Sequence, residues 1–121
     1  MSAIAEWFTL DLPLPPSVNR FMRRLGNKSP VVKAWVGEAD ACLMQRKPYP
    51  RLRTPYELEV QFAEVEFGRF DADNRIKPLS DWMQRVELIE NDNLARRITI
   101  EWSPEVAEGC RVRLRPLVNK S

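Results

Sequence analysis

The chain has 121 residues (14.1 kDa), 44% apolar and 30% charged, with a net charge of +2. This is the length of one domain with enough apolar material for a core, and no segment approaches the roughly 20 apolar residues of a membrane span. There is no His and there are only two Cys (Cys42, Cys110), which excludes Ser-His-Asp and Cys-His nucleophile systems, an imidazole base, His-ligated zinc and an all-thiolate zinc site.

Trp7 to Leu12 alternates, with Phe8, Leu10 and Leu12 on one side, and predicts a strand that Pro13, Pro15 and Pro16 stop. Residues 13–30 form a long connection with four Pro and four basic residues, a length that usually marks function or disorder. Ser29-Pro30 is a helix start, and Val32, Trp35, Val36, Ala39 and Leu43 follow at helical spacing, so 31–46 is predicted helix. Lys47 to Pro55 reads as an extended basic linker. Tyr56 to Val65 is a half-buried strand with Leu58, Val60 and Phe62 inward. A second helix fits 73–87, with Pro78 near its first turn. Leu94 to Trp102 and Gly109 to Leu117 are strands joined by a short turn, which predicts an antiparallel hairpin. The order β-α-β-α-β-β describes a single α+β domain over 1–121, a mixed sheet with helices packed on it.

Two cysteines suit a reduced, cytosolic protein better than a disulfide framework. Met1 to Trp7 lack the basic start and apolar run of a signal peptide, so a soluble cytoplasmic protein with no membrane association is expected. The small net charge hides a strong pattern. Residues 1–56 hold nine basic and four acidic groups, 57–92 four basic and ten acidic, and 93–121 six basic and three acidic. An acidic centre between basic arms suits a metal-dependent enzyme acting on a polyanion; it also arises from scattered solvated charge.

The informative stretch is Arg69-Phe70-Asp71-Ala72-Asp73-Asn74-Arg75-Ile76-Lys77-Pro78-Leu79-Ser80-Asp81. In an extended segment Asp71 and Asp73 project to the same side, where both carboxylates can grip one hard cation such as Mg²⁺ or Mn²⁺. On a helix counted from Asp73, Ile76, Leu79, Met83 and Val86 make an apolar stripe, and Asp73, Lys77 and Asp81 share the opposite face at i, i+4, i+8. The alternative is an exposed face with i,i+4 ion pairs and Asp73 as N-cap. Glu90-Asn91-Asp92-Asn93 is either an Asx turn or the source of a third carboxylate. A helix over 73–86 is about 20 Å long and residues 87–92 extend about 20 Å. Asp92 therefore returns to the helix start only if the chain runs straight back; otherwise the ligand comes from another subunit.

These segments resemble the RusA family of Holliday-junction resolvases, small homodimeric endonucleases, nearly end to end. The resemblance rests on Leu14-Pro15-Pro16-Ser17-Val18-Asn19-Arg20, on Asp71-Ala72-Asp73-Asn74-Arg75-Ile76-Lys77 with Asp81, and on Ile89-Glu90-Asn91-Asp92. It implies Asp71, Asp73 and Asp92 as metal-binding catalytic aspartates, Lys77 as the essential lysine, and Asp81 as a further acidic position. Glu87 stands where the family often has Gly, and Asn91 where some members have a second Asp. The resemblance implies symmetric, Mg²⁺-dependent cleavage (Mn²⁺ as substitute) of a four-way junction by a homodimer. Contacts to DNA would come from Asn19, Arg20, Arg23, Arg24, Lys28, Arg69 and Lys77; the alternatives are a structural turn at Asn19-Arg20 and solvated loop charge at Arg23, Arg24 and Lys28. Arg111, Arg113 and Arg115 read as a solvent face, and Trp35, Trp82 and Trp102 as core or dimer interface. Two other readings are a nuclease for flaps or other branched DNA, and a non-catalytic DNA-binding or assembly protein of this fold.

Overall fold

The structure, a computed structural model, describes residues 6–17 and 30–117. Its strands are β1 (Phe8–Leu12), β2 (Tyr56–Ala63), β3 (Ala95–Ser103) and β4 (Cys110–Pro116), and its α-helices are α1 (Pro30–Met44) and α2 (Ile76–Arg85). The chain is an α+β domain: a mixed four-stranded sheet with both helices on one face. The proposed Ser29 cap of α1 lies outside the described residues. Among those residues no helix is long and apolar enough to cross a membrane.

The sheet order is β1-β4-β2-β3. β4 runs antiparallel to both β1 and β2, and β3 runs parallel to β2. The expected β3–β4 hairpin is therefore absent, because β2 lies between the two strands. Burial explains the difference. Tyr56, Leu58, Val60 and Phe62 are all fully buried, so β2 takes the centre, where both of its edges are paired. The connection between β3 and β4 must then span two strand spacings, about 10 Å, which the six residues 104–109 accomplish. β3 is left at an edge. Its inner-face residues Ile98 and Ile100 are 48% and 37% exposed, where the alternation alone predicts burial.

The apolar side of the sheet meets α1 through Val32, Trp35, Val36, Ala39 and Leu43, the stripe read from the sequence. α2 contributes Leu79, Trp82 and Met83. Trp35 and Trp82 meet edge to face at 5.7 Å, and the Trp82 indole donates to Asp40 across the two helices at 2.8 Å. Both are core residues. Trp102 is half-buried against the core. Burial pushes the Cys110 thiol up to about 12, so this residue packs as a small apolar group.

The opposite face of the sheet is a ladder of paired charges. Arg111 binds Asp11 at 2.8 Å, Arg113 binds Glu59 at 2.7 Å, and Arg115 binds Glu57 at 2.9 Å. Trp7 lies under the guanidinium groups of Arg113 and Arg115, at 4.5 and 4.3 Å. The three arginines do line the outer face of β4, but as partners of β1 and β2 rather than as a free basic strip.

At the start of β4, Gly109 has φ +69, and a Cβ there would sit 2.2 Å from the carbonyl oxygen of Leu12. Substitution would strain the left-handed backbone and push β1 away at once. Gly109→Ala should therefore cost about 2–3 kcal/mol, measured by denaturant unfolding against the parent chain.

Candidate active site

The segment after β2 is held by rings. A 3₁₀ turn, Glu64–Glu66, leads into a loop with Gly68 at φ +85. Phe70 then packs against Phe62 at 5.4 Å and Trp102 at 5.2 Å, and the Arg75 guanidinium covers its other side at 4.6 Å. Asp71, exposed, follows immediately. Its backbone is extended and its side chain makes no capping hydrogen bond, so the carboxylate is not consumed by a helix start. Asp73, also exposed, sits in a second 3₁₀ turn, Ala72–Arg75, and α2 begins only at Ile76. The predicted helix over 73–87 is thus shorter at both ends. A 3₁₀ turn has about three residues per turn, so Asp73 does not continue the i, i+4, i+8 face. Neither does it act as the N-cap of α2, a position held by Arg75 without a side-chain capping bond.

Lys77 and Asp81 do form the expected i,i+4 pair, at 3.0 Å. The Lys77 ammonium also meets the Asp92 carboxylate at 2.9 Å. How Asp92 returns to the helix is visible in the backbone. The Leu88 N–H donates to the Met83 carbonyl and the Glu87 N–H to the Gln84 carbonyl, at 2.9 and 3.1 Å. This double closure is a Schellman turn with Glu87 at its left-handed position (φ 68). Leu88 follows it into the core. The returning strand is then strapped by the 47–55 linker: Leu52 donates to the Leu88 carbonyl at 2.8 Å and accepts from the Glu90 N–H at 2.9 Å. Asn91 closes its own Asx turn by accepting from the Asn93 N–H. The Asp92 N–H donates to the Gln84 side chain at 3.1 Å. Gln84 was not singled out in the sequence, although its place seven residues after Lys77 puts it on the same face of α2.

The two carboxylates around Lys77, Asp92 first and then Asp81, hold its ammonium above the usual lysine value of 10.5. Burial, and secondarily the charge of Asp92, push the Tyr56 phenol up to about 12. Its buried hydroxyl has no hydrogen-bond partner among the described residues. The three predicted metal ligands are not gathered in the same way. Among the described residues no three of His, Cys, Asp or Glu are grouped to hold a metal ion. The group that is assembled is Asp81–Lys77–Asp92.

The N-terminal loop reaches the same end of α2. Arg75 donates to the Pro15 carbonyl at 2.7 Å and the Trp35 indole to that of Pro13 at 2.9 Å. A groove of about 300 Å³ runs between Leu14, Ser17, Val31 and Arg75. Asn19, Arg20, Arg23, Arg24 and Lys28 lie outside the described residues. Arg69 is exposed, with one long contact to Glu66 at 3.8 Å.

No family profile matches the chain. A curated relative does: the crossover junction endodeoxyribonuclease RusA of Aquifex aeolicus is 32% identical over 117 residues, covering 92% of this chain and 90% of the relative. The chain belongs to the RusA family. In this RusA-family protein the match spans the Pro-Pro-Ser loop, the Asp71–Lys77 segment and Asp92 together.

Two outcomes test this geometry. Glu87→Gly and Glu87→Ala both remove the Arg51–Glu87 pair, but only glycine relaxes the left-handed turn. The glycine variant should be the more stable of the two by about 1 kcal/mol, read from paired denaturant melts. A lysine whose folded pKa exceeds its unfolded value gives stability that is complete below pH 10.5 and is lost as pH rises through the folded pKa. Asp92→Asn should bring the Lys77 ε-carbon titration, followed by NMR, back down toward 10.5.

Proposed function

We propose that this chain is an endodeoxyribonuclease that resolves four-way DNA junctions by hydrolysing phosphodiesters at symmetric positions, in recombination and repair. The observation that carries the reading is Lys77, a cation presented between Asp81 and Asp92 in a chain of the RusA family. The relative's name supports the endodeoxyribonuclease activity, and a DNA substrate implies an intracellular setting.

Asp71, Asp73 and Asp92 supply oxygen donors, the chemistry that Mg²⁺ and Mn²⁺ prefer. On that ground metal dependence belongs to the proposal. Since these carboxylates are not grouped in the single chain among the described residues, the roles below concern the protein's own side chains. Lys77 stays protonated through neutral pH, since its neighbours hold its pKa up. It therefore acts as a fixed positive charge and not as a base. Its side chain is 54% exposed, so a scissile phosphate can compete with Asp92 for the ammonium. Lys77 would neutralise the charge that grows on the phosphate oxygens in the transition state. Gln84 acts as a positioning residue by fixing the backbone of Asp92. The anchorage of the 13–17 loop to Arg75 supports a role for the basic stretch that follows, with Asn19, Arg20, Arg23, Arg24 and Lys28 on backbone phosphates.

Two symmetric cuts need two sites, so the proposal includes a homodimer. The edge of β3, unpaired among the described residues, with its exposed Ile98 and Ile100, supports a surface that a second copy would cover.

Asp71→Asn and Lys77→Ala should each lower junction cleavage by at least about 100-fold while junction binding in EDTA stays within a few-fold of the parent. A fully active Asp71→Asn variant would overturn the site. Cutting that persists in EDTA would refute metal dependence, and faster cutting of flaps than of four-way junctions would change the substrate class. Analytical ultracentrifugation should find twice the 14.1 kDa chain mass.

A further inference from the structure

The loop between β2 and Asp71 carries an aromatic ring that the core does not need. Phe67 is 69% exposed. It is nevertheless held firmly. Its N–H donates to the Glu64 carbonyl at 2.9 Å, and the next turn closes through the Arg69 N–H to Glu66 at 3.0 Å. Its ring meets Trp102 edge to face at 5.5 Å and 89°. Beneath it, Trp102, Phe62 and Phe70 contact one another at 5.2–5.4 Å. Three rings close the end of the core, and the fourth stands on them facing solvent. An exposed ring seated on this cluster, four residues before Asp71, offers a flat apolar surface beside the candidate site.

Its surroundings indicate what makes that contact. Arg69, two residues on, has a guanidinium 67% exposed with only a 3.8 Å contact to Glu66. Apart from its chain neighbours, no atom of the described residues lies within 4 Å of where a Cβ on Gly68 would stand. Asp71 follows four residues after Phe67, and Phe70 links the two by packing on Trp102. A flat π-surface two residues from an exposed cation matches a nucleobase and its phosphate.

We infer that Phe67 stacks on a nucleobase at a DNA branch point, with Arg69 on the adjoining phosphate. The inference rests on the junction-nuclease reading above and names the residue that would recognise the branch. Where duplex arms meet, a base can lose a stacking neighbour, and a protein ring can replace it. Stacking of this kind accepts any base, so it selects structure and not sequence. Because Phe70 couples the ring cluster to Asp71, a base held on Phe67 also sets how the neighbouring strand lies against Asp71. Phe67 is thus a positioning and specificity residue rather than a catalytic one.

The test uses the full chain and compares binding to a four-way junction and to a duplex of equal length in EDTA. Phe67→Ala should weaken junction binding about tenfold and leave duplex binding and the thermal midpoint unchanged. Phe67→Trp should restore the junction preference. Replacing crossover nucleotides one at a time by abasic sites should, at one position, abolish the difference between the parent and Phe67→Ala, as a double-mutant cycle requires. An unchanged junction affinity, an equal loss on both DNAs, or no responsive abasic position would overturn the inference. So would a Phe67→Ala chain that loses self-association alone, which would assign the ring to a contact between copies. A parent chain with no preference for the junction would overturn the junction reading itself, and this inference with it.

Discussion

Strand β2 has to be buried on its inner face and paired along both edges, and much of the molecule follows from that requirement. Tyr56, Leu58, Val60 and Phe62 leave it no place except the middle of the sheet. β4 and β3 are then forced to its two sides, and the exposed β3 edge results. β2 also anchors both ends of the candidate site. Phe70, next to Asp71, is seated on Phe62 at one end. Ala95, three residues after Asp92, pairs with Tyr56 at the other. These anchors are about 20 Å apart along the strand. α2 bridges them, and Lys77 reaches the Asp92 side. The group assembled among the described residues is Asp81–Lys77–Asp92.

The return of the chain along α2 depends on small backbone contacts. The Schellman closure at Glu87 costs strain that a glycine would not incur. The strap at Leu52 and the Gln84 bond to Asp92 then hold the returning segment in register. The Glu87 carboxylate at the turn meets Arg51 at 2.6 Å, an exposed pair of a kind that contributes little.

Charge is used differently from what its distribution along the chain suggests. The acidic middle third does not act as a unit. Glu57 and Glu59 face the outer side of the sheet and neutralise Arg113 and Arg115, while Asp81 and Asp92 take Lys77. Sequence blocks of one sign thus dissolve into cross-strand pairs, because neighbours on a sheet come from distant parts of the chain. The same pairing occupies the β4 arginines, and the proposed phosphate contacts are Arg69 and the basic residues of the N-terminal loop instead.

The amino-acid sequence by itself determined what is periodic or covalently local. The α1 stripe, the alternation of β2 and β4, and the Lys77–Asp81 pair were all legible, since each depends on spacing of a few residues. The motif residues and family membership were legible for the same reason. Reach along the chain set the condition for Asp92 to return to the helix start, and in the structure its carboxylate meets Lys77 in the first turn of α2. The strand order, the exposure of Ile98 and Ile100 on the inner face of β3, the 3₁₀ turn that removes Asp73 from the helical face, and the Gln84 contact were not. Each is decided by which strands compete for the centre of the sheet and by contacts between segments far apart in sequence. That competition is settled by burial of apolar surface in three dimensions, which no local pattern records.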